Sequence, residues 1–215
     1  AYKQADIGVI YPIARALPVL MVGAGTVALG YDLSTLSWVG FSLITLGCLF
    51  VPLESFRQFN LQGYLNAGVL FAFIAALGTT GYSILDKEAL VILGDTFQQV
   101  VSDKASAVFY LGIQFWSIAL CIASYLVVAK RFDDFKDAWA IKKPSAIAGT
   151  MMSTTYGLVL YAMTMTENVS YVVALRQLSI VFGMIFGIIW LSEKFLVTRL
   201  SGTMLILGGL VLTVL

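Results

Sequence analysis

Ile10–Val19 reads IYPIARALPV and Tyr171–Ile180 reads YVVALRQLSI, and each stretch opens one copy of an internal repeat. A single arginine, Arg15 or Arg176, lies early in the long apolar run of each copy. An acid follows that arginine 17 positions later (15 to 32 and 176 to 193), and a glycine-rich apolar segment follows the acid: Asp32 and then Leu36–Leu53, Glu193 and then Leu200–Leu215. The repeat indicates how the protein is built, and its arginines indicate where to look for a functional site.

The composition is that of an integral membrane protein. Of the 215 residues, 60% are hydrophobic and 12% are charged, and the mean hydropathy is +0.91, whereas soluble domains carry about 25% charged residues. A membrane helix needs about 20 apolar residues, and alternating strands of the β-barrel type are absent from the sequence. We therefore predict an all-α polytopic helical bundle of about seven transmembrane helices: Ile7–Leu29, Leu36–Leu53, Leu65–Leu85, Ala105–Ala129, Ala146–Met165, Val169–Leu191 and Leu200–Leu215.

The two copies of the repeat are predicted to cross the membrane in opposite directions. They form the first and second spans and the sixth and seventh spans, and a shift of five spans reverses the direction. Inverted repeats of this kind are common in secondary transporters, where the substrate site lies near the midplane between the halves. With a repeat unit of five helices, residues 65–215 are a complete carboxyl-terminal repeat, residues 54–64 a linker, and residues 1–53 the last two helices of an amino-terminal repeat.

The residue types that are scarce exclude several classes of function. Histidine is absent from the sequence, which removes the commonest haem and zinc ligand. The two cysteines, Cys48 and Cys121, both lie in predicted spans without a disulfide or metal-binding spacing. The polar segments Asp86–Lys104 and Lys130–Ser145 are predicted loops, and in the second of them acids alternate with bases, as on a solvated surface. We expect no enzyme, no cofactor or metal site, and no nucleic-acid partner.

Three motifs resemble the EamA-like transporters of the drug/metabolite transporter superfamily. They are ADIGVIYP at Ala5–Pro12, with Arg15 behind it, VSYVVALRQLSI at Val169–Ile180, and LSEK at Leu191–Lys194. The resemblance covers nearly the whole chain and implies a ten-helix bundle of two inverted five-helix repeats around a central cavity. By that pattern this chain would hold helices 4–10, and it would export or exchange small metabolites, amino acids or drugs.

The two arginines inside predicted spans are the first candidates for a substrate site. Arg15 and Arg176 each lie about eight residues into a span, which is ~12 Å deep at 1.5 Å per residue, and a charge at such depth normally faces protein or water. A guanidinium group suits a carboxylate or a phosphate, so one interpretation is binding of an anionic or zwitterionic substrate. The other is structural: a bond to backbone carbonyls near Pro12 and Pro18, or to a lipid headgroup.

Polar side chains near the arginines and on other spans complete the predicted site. Tyr11 lies one helical turn before Arg15 and shares its face, and a buried amide or phenol needs a hydrogen-bond partner. The predicted substrate-binding residues are Arg15, Tyr11, Arg176, Gln177, Ser179, Gln114, Tyr156 and Tyr82. Asp86 and Glu193 stand at the ends of predicted spans and are predicted to be gate or helix-end acids, so we expect no acid in the middle of a span.

Together these features favour a transporter that exports or exchanges a small metabolite, an amino acid or a drug by alternating access. The alternative is an accessory subunit of a larger membrane complex that keeps a transporter-like fold without transport. We expect a small-molecule substrate, membrane lipid, and a homodimer or larger membrane complex as partners, and the bacterial inner membrane as the location. The orientation has two interpretations, because the positive-inside rule puts the amino-end side in the cytoplasm, whereas the topology of the family puts the carboxyl end there.

Overall fold

The computed structural model describes residues 7–53, 55, 67–97, 102–191 and 196–215. This part of the chain forms nine helices and no β-strand: α1 Ile7–Ala28, α2 Thr35–Phe50, α3 Ala67–Phe97, α4 Asp103–Val128, α5 Phe132–Ala140, α6 Lys142–Thr164, α7 Val169–Leu175, α8 Leu178–Leu191 and α9 Val197–Val214. Four segments are long and apolar enough to cross a membrane: Val69–Phe97, Asp103–Val128, Val169–Trp190 and Val197–Val214. The prediction of an all-α polytopic membrane protein is confirmed, and α1 and α2 contribute shorter apolar helices, Ala14–Ala28 and Thr35–Phe50.

Helix α3 is longer than the span predicted for it. The sequence predicts an end at Leu85 and a loop from Asp86, but the helix continues to Phe97. Asp86 accepts hydrogen bonds from side chains of α4 and α6, and the Lys87 Nζ donates to the carbonyl oxygens of Met163, at 3.0 Å, and Thr166. Because both charges have polar partners, their burial does not force the helix to end. The prediction of a loop that begins at Asp86 is wrong.

The predicted loop Lys130–Ser145 contains the short helix α5. Its acids lie in the first turn, where the helix dipole favours negative charge. The Arg131 Nη2 lies 2.7 Å from the Asp134 Oδ2, and the Lys136 Nζ lies 3.2 Å from the Asp133 Oδ1. Acids and bases are therefore paired along an exposed helix, and the prediction of an irregular loop is corrected here too.

The sixth predicted span consists of two helices, α7 and α8, that meet at Arg176 and Gln177. At this break the Gln177 N–H donates to the carbonyl of Ala174, at 3.0 Å, as in a tightened 3₁₀ turn. Ser179 Oγ donates to the carbonyl of Arg176 at 2.8 Å, and Gln177 Nε2 donates to that of Val173 at 3.4 Å. Irregular backbone at membrane depth is tolerated where protein buries it or where it lines a cavity, so the break is a natural place for a site.

Helices α2 and α9 pack closely because glycines face each other where they cross. Gly40 lies against Gly209 and Gly47 against Gly202, so the two helices run antiparallel. A Cβ atom added to Gly47 would lie 2.5 Å from the carbonyl oxygen of Gly202, and one added to Gly209 would lie 2.6 Å from that of Gly40. Such contacts let helix backbones approach as small-residue motifs do in membranes. Since α2 and α9 hold equivalent places in the two copies of the repeat, the copies meet through their final helices.

The chain divides into two compact units. Unit 1 comprises Ala1–Leu85 and Asn168–Leu215, and unit 2 comprises Asp86–Glu167. Within unit 1, the hydroxyl oxygens of Thr26 and Ser170 lie 3.0 Å apart and join α1 to α7. Within unit 2, α4 packs against α6. The boundaries expected from the repeat, at residues 1–53, 54–64 and 65–215, stay a prediction.

Candidate functional site

Arg15 is the side chain of α1 that opens onto a cavity of unit 1. Its Nη1 donates to the Oγ of Ser179, at 2.8 Å, just beyond the break between α7 and α8. The adjoining cavity has a volume of about 360 Å³, at the lower end of the range of about 300–1,000 Å³ that holds small-molecule ligands. Two of the predicted site residues, Arg15 and Ser179, are therefore brought together although they are 164 positions apart in the chain.

The described lining of this cavity contains two guanidinium groups. The guanidinium groups and a hydroxyl lie among small and apolar side chains, and no acid is among the described residues that line the cavity: Arg15, Val51, Pro52, Ser179, Ile180, Gly183, Met184 and Arg199. Guanidinium groups bind carboxylates and phosphates through a planar fork of donors. The cavity is therefore chemically suited to a small molecule that carries an anionic group.

Arg199 is a lining residue that the sequence analysis did not identify. It lies at the start of α9, and in the sequence it belongs to a polar connection between spans. The repeat gives no signal for it either, because the residue at the same distance behind the acid of the first copy is Trp38 (193 to 199 and 32 to 38). Only the packing of α9 against the helices of unit 1 brings Arg199 to the cavity.

Arg176 lies at the break itself and has a different partner. Its Nη1 and Nη2 are each 3.5 Å from the hydroxyl oxygen of Tyr82, on the part of α3 that belongs to unit 1. Arg176 is not among the described residues that line the cavity beside Arg15. The structure thus pairs Arg176 with Tyr82, both predicted site residues, but separates this pair from the lining around Arg15.

Gln177, the second residue of the break, carries an unpaired polar atom. Its side chain is 5% exposed, and within the described part of the chain its Oε1 is buried without a hydrogen-bond partner. Buried amide oxygens nearly always accept a hydrogen bond. Gln177 is also not among the described residues that line the cavity beside Arg15.

Three other predicted residues meet in unit 2. The Asp86 Oδ1 accepts from the Tyr110 hydroxyl at 2.8 Å and from the Gln114 Nε2 at 2.7 Å, and the Asp86 Oδ2 accepts from the Tyr156 hydroxyl. Asp86 is 1% exposed and lies inside α3, 11 residues before the helix ends (86 to 97). Of the two predicted roles of Asp86, that of a helix-end acid is therefore wrong, and that of a gate stays a prediction. The expectation that no acid lies within a span is also wrong, because Asp86 lies within the candidate span Val69–Phe97. The local hydropathy of the sequence could not predict a buried acid at this position, because its three hydrogen-bond donors lie 24 to 70 residues further along the chain.

Two predicted site residues cannot be placed. The side chain of Tyr11 and the whole of Glu193 lie outside the described residues. Their roles stay predictions. Among the residues that the structure does describe, no three His, Cys, Asp or Glu side chains come together in a way that could hold a metal ion.

Comparison with known proteins gives one match. The model of the EamA-like transporter family matches residues 66–215. No curated protein and no solved structure matches the chain. The family match covers α3 to α9 and so includes Asp86, Arg176 and Arg199.

Proposed function

Because the chain belongs to the EamA-like transporter family of the drug/metabolite transporter superfamily, we propose that this membrane transporter carries a small anionic or zwitterionic metabolite by alternating access. The family is one of transporters and not of enzymes, and its members act in a lipid environment on small molecules. The export or exchange of the metabolite, and the location of the protein in a bacterial inner membrane, belong to the same proposal.

The observation that carries the proposal is the cavity, lined by two arginines, beside the break in a membrane span. Arg15 and Arg199 contribute guanidinium groups to the cavity, and Ser179 follows the break by two residues. In secondary transporters, interrupted helices near the midplane present unpaired backbone and polar groups to the substrate. A guanidinium group within an apolar helix normally faces protein or water and not lipid, so both arginines are suited to line an aqueous path for a small anion.

The test is a thermal-shift measurement on the full chain in lipid nanodiscs, with succinate, L-glutamate and the cationic L-lysine methyl ester as probes. We expect succinate or L-glutamate to raise the melting temperature, because a ligand at 100 times its Kd stabilises the folded state by about 2.7 kcal/mol. The variants Arg15→Ala and Arg199→Ala should lose this response. Arg131→Ala, which removes an exposed arginine of the α5 region, is the matched control and should keep it.

Uptake of the stabilising probe into proteoliposomes then separates a transporter from an accessory subunit. A transporter accumulates or exchanges the probe, and Arg15→Ala abolishes this. The proposal fails if neither anionic probe stabilises the protein or is taken up. The site assignment fails if the two arginine variants respond to the anions as the unaltered protein does.

A further inference from the structure

The carboxylate of Asp86 is buried in a membrane span among uncharged hydrogen-bond donors. It receives hydrogen bonds from Tyr110 and Gln114 on α4 and from Tyr156 on α6. All three donors are neutral groups. Among the described residues no lysine or arginine forms an ion pair with this carboxylate, so only neutral groups bond to its oxygens. The cluster is therefore not a simple structural ion pair.

The lysines near this cluster have other partners, and two further acids lie close to it in the sequence. The ammonium of Lys87, the next residue in α3, bonds to the carbonyls of Met163 and Thr166 at the end of α6. Lys104, near the start of α4, lies over the ring of Tyr161, with its Nζ 5.7 Å from the ring centroid. Glu88 follows Lys87 in α3, and Glu167 lies behind the end of α6. Within the described residues, no lysine or arginine forms a salt bridge to the Asp86 carboxylate.

The donors around Asp86 can serve the carboxyl group in both of its protonation states. A tyrosine hydroxyl both donates and accepts, and its hydrogen turns about the C–O bond without movement of heavy atoms. When Asp86 is ionised, the Tyr156 hydroxyl donates to Oδ2. When a proton from water binds to Oδ2, the carboxyl O–H can donate to the Tyr156 oxygen after that hydroxyl turns away. A lysine or arginine partner could not do this, because it only donates.

The same geometry disfavours a metal cation at this position. Sodium and the alkaline-earth ions need several oxygen ligands directed at one point. The Asp86 oxygens instead receive hydrogen atoms from three sides, and one of the three groups is an amide nitrogen. Tyr110, Gln114 and Tyr156 are half-buried whereas Asp86 is buried, so the three donors are more exposed than the carboxylate that they surround.

We propose that Asp86, Tyr110, Gln114 and Tyr156 form a proton-binding site in which the Asp86 carboxylate takes up and releases one proton. The charge of the site then alternates between −1 and 0, at a position inside a membrane span. Its place in a transport cycle, as the group that couples substrate movement to protons, rests on the proposed function. The binding of the proton itself does not.

The test is a pH titration of the full chain in lipid vesicles, followed by infrared difference spectroscopy. The carbonyl stretch of a protonated carboxyl group appears and disappears as the pH changes, so the probe is the proton alone. We expect one such band that Asp86→Asn removes. Asp95→Asn, which changes an exposed acid of the same helix α3, is the matched control and should retain that band.

Tyr156→Phe keeps the assignment testable if Asp86→Asn does not fold. It removes the hydrogen bond to the Asp86 Oδ2 and should change the frequency of the band, whereas Tyr125→Phe, which alters an exposed tyrosine of α4, should not. The proposal is overturned if the band survives Asp86→Asn, if no band responds to pH, or if Tyr156→Phe leaves its frequency unchanged. Loss of anion binding in the arginine variants with an intact band would instead concern the substrate site alone.

Discussion

The crossing of α2 and α9 gives a sharp test of the packing, because neighbouring glycines of α9 differ completely in their surroundings. A Cβ atom at Gly209 would lie 2.6 Å from the carbonyl oxygen of Gly40 and 3.0 Å from the backbone nitrogen of Ile44. A Cβ atom at Gly208 would meet nothing within 4 Å. Gly209→Ala therefore adds a methyl group inside the contact between α2 and α9, and Gly208→Ala adds the same group outside it.

The magnitude of the effect follows from the distances. Ordinary contact begins at 3.4 Å, so the two helices must move apart by about 0.8 Å (3.4 less 2.6) at Gly209. A gap of 0.5–1 Å forfeits roughly a quarter to a half of each dispersion contact across it, and overpacking typically costs about 1–3 kcal/mol. The helix propensity of alanine over glycine, about 1 kcal/mol, favours both variants alike. The free energy of unfolding of Gly209→Ala should thus fall about 1–3 kcal/mol below that of Gly208→Ala.

Reversible unfolding in bicelles, titrated with a denaturing detergent, measures this difference. Both variants carry the same added methyl group and the same gain in helix propensity. The difference between their unfolding free energies therefore reports only on the packing of α2 against α9. Equal stabilities for the two variants, or a larger loss at Gly208, would refute the close packing of these helices. Gly47→Ala, whose Cβ would lie 2.5 Å from the Gly202 carbonyl oxygen, provides a replicate on the opposite helix.

Three further predictions concern polar groups. Thr26→Val removes the buried hydrogen bond between the hydroxyl groups of Thr26 and Ser170. It should lower the unfolding free energy by about 0.6 kcal/mol in the same titration. Thr79→Val, which removes a hydroxyl that bonds to the Ala75 carbonyl of its own helix, is the control and should not lower it. Lys87→Met removes the ammonium from the carbonyls of Met163 and Thr166, so amide hydrogen exchange at the end of α6 should become faster. Lys136→Met, which changes an exposed lysine of α5, should leave it unchanged, and protection equal to that of the unaltered protein in Lys87→Met would contradict this role. Gln177→Met removes the hydrogen bond from the Gln177 Nε2 to the carbonyl of Val173, at 3.4 Å, so it should lower the unfolding free energy by about 0.5–1.5 kcal/mol in the same titration. An unchanged stability would contradict the role of this bond at the break.

The apolar spans could be predicted from the sequence because hydropathy is a local property. The span predicted at Ala105–Ala129 corresponds to α4, Asp103–Val128, and the one at Ile7–Leu29 corresponds to α1, Ile7–Ala28. The spacing of glycines was a signal that went unused: Gly40 and Gly47 are seven residues apart in one copy, and Gly202 and Gly209 in the other. Two helices with the same small-residue spacing can pack against each other along that spacing.

What the sequence could not supply were partners that lie far apart in the chain. The charges that begin at Asp86 indicate a loop by every local rule, yet they continue a helix because α4 and α6 bring donors and carbonyls to them. The break between α7 and α8 contains no proline and no glycine. Proline is the usual cause of such a break, but Pro12 and Pro18 belong to α1, which runs as one helix. Side-chain bonds from Ser179 and Gln177 accompany the break instead.

The repeat itself predicts the fold better than it predicts the chemistry. Arg15 and Arg176 occupy equivalent positions, 161 residues apart, but Arg15 contacts Ser179 whereas Arg176 contacts Tyr82. The residue equivalent to Ser179 in the first copy is Pro18 (179 less 161), which offers no hydroxyl group. An inverted repeat repeats helix directions and packing contacts, as the glycines of α2 and α9 do. A substrate with distinct ends needs unlike groups around it, so the positions at which the two copies differ are where specificity is to be sought.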